Sequence, residues 1–201
     1  MKFSLFTKML FYISINFIFL SLLMPTNSLA KTNQAKSFFN FSSFNINKHG
    51  IGSIRIGMSV KVAESKIKGL KKRLLTAYKF GVDSESLVPC YYLGNSLVFA
   101  LITQDKSDKI SLIVAVDERL KTITGLTPKS SLFELNKKYT NLVVWYNQLT
   151  HQEEFSDKIN KWNFVFDTND NNRIGKYLDN QRTDFAKPQR LNESSIYLII
   201  E

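Results

Sequence analysis

Apolar and polar positions change rhythm several times along this chain. From Met9 to Met24 the run is apolar, interrupted only by Ser14, Asn16 and Ser21. Beyond Ile51 the pattern becomes periodic. Val60, Ala63, Ile67 and Leu70 recur at spacings of three and four, which puts them on one face of a helix, with Ser59 placed to cap it and Gly69 near its end. Leu132, Leu135 and Tyr139 give a second such stripe behind Ser131-Leu132-Phe133-Glu134, a capping-box pattern in which Ser and Glu satisfy each other's backbone N–H groups. Between and after these helices lie short apolar runs that predict strands, at residues 90–93, 97–103, 110–116, 142–146, 162–166, 173–178 and 196–200. The clearest is 162–166, where Trp162, Phe164 and Phe166 share one face and Asn163 takes the other. Residues 54 and 56 add a short strand after the glycine-rich entry Gly50-Ile51-Gly52. Residues 179–195 read as a long polar loop. The expected fold class is α+β, an antiparallel sheet with two helices packed on one face. Setting Ser59 against Ser131 aligns Val60 with Leu132, Ala63 with Leu135 and Ile67 with Tyr139, all at an offset of 72 residues. A decayed tandem repeat is therefore an open alternative.

The first 30 residues have the three parts of a secretory signal peptide. Lys2 and Lys8 form a positive start, the apolar run follows, and Pro25 and Ser28-Leu29-Ala30 complete a cleavage site after Ala30. The run is 16 residues long, short of the roughly 20 needed to span a bilayer, so a retained anchor is the weaker reading. The expected organisation is a signal peptide at 1–30, a linker at 31–48 and one α+β domain at 49–201, with halves at 49–120 and 121–201 if the duplication holds. Phe38, Phe39, Phe41 and Phe44 stand out in the linker, either as a first strand or as a cover over a groove.

The chain has 27 Lys and Arg against 17 Asp and Glu, and removal of Lys2 and Lys8 leaves 25 against 17, a net charge near +8. Such a surplus favours anionic partners: an acidic protein, lipid headgroups or an envelope polymer. Its densest part is Lys61, Lys66, Lys68, Lys71, Lys72 and Arg73, with Glu64 among them. These six are the candidate binding residues, read as the cationic outer surface of the first helix. The competing reading is a solvated helix face whose last cations suit the negative end of the helix dipole. Trp145-Tyr146 is a second candidate binding edge, weighed against a core position.

Gly50-Ile51-Gly52-Ser53-Ile54-Arg55-Ile56-Gly57-Met58-Ser59, with Cys90-Tyr91-Tyr92, Val114-Ala115-Val116-Asp117, Thr124-Gly125-Leu126 and the stretch from Ser131 to Tyr139, resembles small uncharacterised exported bacterial proteins. The Gly-Met-Ser/Thr helix entry is also similar to the module of the outer-membrane assembly lipoprotein BamE and of β-lactamase inhibitor protein. The resemblance covers roughly residues 50–140. It implies helices layered on an antiparallel sheet and a role in binding other proteins. It supplies no catalytic residues, and Lys129-Ser130 stands where a second Gly-Met would fall.

The sequence offers catalysis little. Cys90 is the only cysteine, which rules out an internal disulfide, and it reads as a buried, inert thiol. The two histidines, His49 and His151, are far from it in sequence and read as loop residues. There is no Gly-x-Ser-x-Gly elbow. Asp167-x-Asn169-x-Asn171 begins like a calcium loop, but Asn172 and Leu178 stand where the loop needs its Gly and its bidentate Glu. No metal and no cofactor is expected, and nucleic acid is disfavoured by the export signal. The expected function is that of an exported, secreted or periplasmic, non-catalytic protein-binding module: an inhibitor, an envelope accessory protein or a secreted effector. Two alternatives are a peripheral protein held by charge to anionic lipid or polymer, and an enzyme with an unfamiliar site.

Overall fold

The computed structural model describes residues 38–104, 106–169, 171–177 and 185–201. The expected export signal at 1–30, the start of the expected linker, Asp105, Asp170, Leu178 and the start of the expected polar loop lie outside the described residues.

The fold is mostly β, which corrects the α+β expectation. Three short strands, β1 (Ile46–Asn47), β2 (Gly50–Ile51) and β3 (Ile54–Arg55), make a small antiparallel sheet. Helix α1 (Val60–Lys66) follows, then β4 (Lys71–Thr76), β5 (Leu87–Leu93), β6 (Ser96–Thr103) and β7 (Ile110–Ala115). Helix α2 (Leu132–Lys138) precedes β8 (Val144–Asn147), β9 (Gln152–Asp157), β10 (Trp162–Phe166), β11 (Gly175–Lys176), β12 (Phe185–Pro188) and β13 (Ser195–Ile200). The strands from β4 onward form one ten-stranded antiparallel sheet in the order β11-β12-β8-β9-β10-β13-β7-β6-β5-β4. The C-terminal strand β13 sits in its interior, with Leu198 opposite Ala115 of β7 and Phe164 of β10.

The helices are short for local reasons. Ser59 caps α1 at Val62 N–H, but Ile67 is extended and Gly69 turns left-handed (φ 80°), so the chain leaves the helix before Leu70. The Val60–Leu70 stripe therefore covers a helix, a turn and the approach to a strand. In α2 the capping box forms, with Glu134 N–H on Ser131 Oγ at 3.2 Å and Ser131 N–H on Glu134 Oε2 at 2.9 Å. Tyr139 is already extended. Both helices keep the 72-residue offset. Among the strands the offset holds only at first: the same shift carries β4 onto β8, but β5 onto the turn before β10 and most of β10. In the sheet, β4-β5-β6-β7 after α1 and β8-β9-β10-β13 after α2 run inward from opposite sides and meet at β7 and β13, with β11 and β12 the addition to the second set.

Strand alternation builds a core on each side of the large sheet. Phe99 and Leu101 of β6 join Ile113, Trp162, Phe164, Leu198 and Ile200 on one side. Ala63 of α1, Leu132 and Leu135 of α2, and Ile46, Ile51 and Ile54 of the small sheet belong to this same cluster. So do Phe39 and Phe44, which pack at 4.4 Å between ring centres; with Phe41 they cover the core, while Phe38 of the expected linker is exposed. On the opposite side, Ala100 and Ile102 of β6 join Val88, Cys90, Val114, Val165 and Tyr197. A 3-10 turn at Ala77–Phe80 lies over them, with Phe80 against Tyr197 at 6.3 Å.

The small sheet explains its glycines. A Cβ on Gly50 would stand 2.0 Å from the Ile54 carbonyl oxygen, and one on left-handed Gly52 would stand 2.5 Å from that of Ser43. Only a residue without a side chain allows those backbones to meet.

Candidate functional site

The six predicted cationic residues do not share one helix face. Lys61 and Lys66 are exposed on α1, Lys68 is exposed in the turn after it, and Lys71, Lys72 and Arg73 open β4. Strand alternation then divides the last three. Lys71 stands opposite Tyr92 and Arg73 opposite Cys90, on the side of the sheet where Cys90 is buried. The Arg73 guanidinium lies 4.7 Å from the centre of the Tyr92 ring and reaches Asn95 Oδ1 at 3.5 Å. Lys72 stands opposite Tyr91 and points to the helix side, where its ammonium is 2.6 Å from Glu64. Glu64 also accepts a 3.0 Å hydrogen bond from the Tyr91 hydroxyl. The Lys72 ammonium holds the Glu64 carboxyl below its ordinary value, against partial burial and with help from Tyr91.

These residues therefore occupy a corner of the molecule formed by α1 and the terminal strand of the large sheet. The side chains of Lys61, Lys66, Lys68 and Lys71 make no hydrogen bond or ion pair among the described residues. Beside them are apolar side chains that the core does not use: Leu74 is 52% exposed and Leu87 62%.

Trp145 and Tyr146 lie elsewhere. They belong to β8, and six strands separate β8 from β4 in the sheet order, a distance of about 34 Å at roughly 4.8 Å per strand. Trp145 is half-buried and donates to Ser156 Oγ at 3.1 Å. The Tyr146 hydroxyl meets His151 Nδ1 at 2.7 Å, and Arg173 lies 4.4 Å over its ring. The two candidate edges do not form one surface.

The other candidate groups are held in structural roles. Cys90 is fully buried; burial pushes its thiol up to about 11. His49 is exposed between β1 and β2, and His151 is exposed between β8 and β9. Among the described residues no group of three His, Cys, Asp or Glu could hold a metal ion. The asparagine-rich segment after β10 folds on itself, with Asn171 N–H on Asn169 Oδ1 at 2.9 Å.

Four buried carboxylates were hidden from sequence reasoning. Glu153 accepts from Ile174 N–H (2.6 Å), Gly175 N–H (2.8 Å) and the Tyr177 hydroxyl (2.7 Å). Glu154 accepts from Asn147 at 2.8 Å; burial raises its carboxyl, the Asn147 bond lowers it, Glu201 raises it further, and the net shift is upward. Burial alone would raise Asp157, but donors from Asn160, Tyr139 and Ile159 outweigh it and hold the carboxyl below its ordinary value. Asp117 is held low in the same way, by Arg119 against burial. Each is an anchor for a turn or strand. Nothing in a doublet such as Glu153-Glu154 separates a buried anchor from a solvated pair. A cleft of about 180 Å³ lies between Tyr78, Gly81, Leu149 and Thr150.

This geometry defines a mostly-β domain with a charged, open sheet edge. No family model and no curated protein matches the chain. Among solved structures it is similar to the crystal structure of the uncharacterized protein YfeY from Escherichia coli, at 13% identity and a TM-score of 0.50, over 78% of this chain and 99% of that one. That likeness concerns the fold alone.

Proposed function

We propose that this chain is an exported, non-catalytic module that binds another protein through its basic corner. One observation carries the reading: the side chains of Lys61, Lys66, Lys68 and Lys71 stand exposed and without intramolecular partners around α1 and the start of β4, and the helix side of β4 and β5 leaves Leu74 and Leu87 exposed. Charge alone marks a solvated surface, whereas charge beside apolar side chains that the core leaves open has the composition of an interface. The cleavable signal expected at 1–30 supports an exported setting, secreted or periplasmic. The BamE-like helix entry supports protein binding by analogy. The test is affinity capture from envelope and extracellular fractions, with wild type and a variant carrying Glu at Lys61, Lys66, Lys68 and Lys71. The reading expects a saturable, stoichiometric protein partner that the variant loses and a Lys158→Glu control keeps. Equal capture by the variant, or none by wild type, overturns it.

The same unpaired lysines favour a second reading, attachment to an anionic lipid or polymer surface. It expects retention on anionic vesicles that falls as salt rises from about 0.1 to 1 M, where the screening length shrinks from about 10 to 3 Å. Retention by protein alone, indifferent to anionic vesicles, removes it.

A further inference from the structure

The two ends of the large sheet are unequal. One terminal strand, β11, is two residues long; the other, β4, is six. Among the described residues no strand pairs with the outer side of β4, and no backbone–backbone hydrogen bond outside its ladder with β5 engages Lys71–Thr76. An open edge offers a row of N–H and C=O groups to any extended chain, and proteins commonly guard such edges with cations. Lys71, Lys72 and Arg73 fit that guarding role, because a second copy pairing there would bring like charges together. The same cations leave the edge open to a strand of opposite charge.

We infer that β4 is a docking edge for an extended acidic segment of a partner protein, which adds an eleventh strand to the sheet; this rests on the reading of the chain as a protein-binding module. Alternation on β4 specifies the visitor. On one side of the sheet it meets Lys71 and Arg73, and Arg73 is already positioned by Tyr92 and Asn95. On the other side it meets Leu74, with Leu87 diagonally behind it on β5. Lys72 on that side is engaged by Glu64. Directly opposed side chains on adjacent strands lie about 4.5–5.5 Å apart at Cβ, within reach of a carboxylate from either cation. The fitting segment therefore alternates Asp or Glu with apolar or β-branched residues. Main-chain bonds would supply affinity, and the alternating side chains would supply selection.

The experiment uses protein expressed from the full 201-residue sequence and a short synthetic peptide alternating Glu with Val, read by fluorescence anisotropy. Two further peptides carry N-methyl groups on alternate residues, one set out of phase with the other, with side chains unchanged. Strand addition expects one methylated set to weaken binding at least roughly tenfold and the other to bind within about twofold, because only every second amide faces the sheet. It also expects Lys71→Glu with Arg73→Glu to weaken the parent peptide by roughly tenfold or more, with Lys158→Glu near wild type and the far-ultraviolet circular dichroism of all variants unchanged. Equal binding by both methylated sets overturns strand addition. If the quadruple lysine variant still loses its captured partner, the basic protein-binding corner stands without it. Absence of peptide binding, or a dimer through β4 at low salt, also overturns strand addition; absence of any captured partner overturns the wider reading.

Discussion

Glu153 has no exposed surface, yet it is an acid, and its neighbours explain why it can stay inside. Its two oxygens meet three donors, two of them backbone N–H groups at the start of β11. The side chain does for this short strand what a ladder partner would do. Glu153→Ala leaves those donors buried and unsatisfied, and is expected to cost on the order of 3 kcal/mol in chemical denaturation, with β11 losing amide-exchange protection first. Glu154, next to it, behaves in the opposite sense. Its carboxyl is raised in the folded state, so the stability it contributes is present below the ordinary Glu value and is lost as pH rises through its raised value. Glu154→Gln is expected to raise the melting temperature at neutral pH, with the gain vanishing on acidification below the usual Glu range. Asp157 is lowered, so its contribution is present above the ordinary Asp value and is lost as pH falls through its lowered one. Asp157→Asn should destabilise at neutral pH by about 1–3 kcal/mol, and the gap from wild type should close in acid. Melting curves across pH for the two variants would slope in opposite directions relative to wild type.

Among the elements, those with a marked apolar rhythm were readable in advance. The strand at Trp162–Phe166 has the predicted bounds, and β6 and β13 fall within a residue of theirs. The elements that escaped have physical reasons to do so. The first half of β4 is Lys-Lys-Arg, because an edge strand needs no buried face there. In β9, Glu153, Glu154 and Asp157 are buried acids matched by donors elsewhere in the chain, so its sequence looks like a solvated turn. The 185–188 strand sat inside an apparently polar loop. These omissions turned a mostly-β sheet into an expected α+β fold. They also placed Lys71, Lys72 and Arg73 on a helix, although the local concentration of charge was correctly visible. The small sheet offers a direct check at this scale. Gly50→Ala or Gly52→Ala drives a Cβ into a backbone carbonyl, and each is expected to cost on the order of 2–4 kcal/mol, lowering the melting temperature by several degrees.

At the level of the whole molecule, one sheet carries two cores, and neither closes without its middle. The inner pairing joins β7 at Ile110–Ala115 to β13 at Ser195–Ile200, so the contacts at the centre of the sheet are among the most distant in sequence. A chain ending before Ser195 keeps most of its strands but leaves β7 and β10 with bare facing edges and removes Leu198 and Ile200 from the core. Such a truncation is expected to show no cooperative thermal transition and to bind hydrophobic dyes, whereas the 201-residue chain melts in one step.

The interior position of β13 also has a meaning in time. A chain that emerges amino-terminus first, from a ribosome or through a narrow pore, presents nearly all of its strands before the one that joins them. Until Ser195–Ile200 are free, its two strand groups have no common partner and it must wait unclosed. Closure of the sheet is thus a signal that residues 195–200 have arrived.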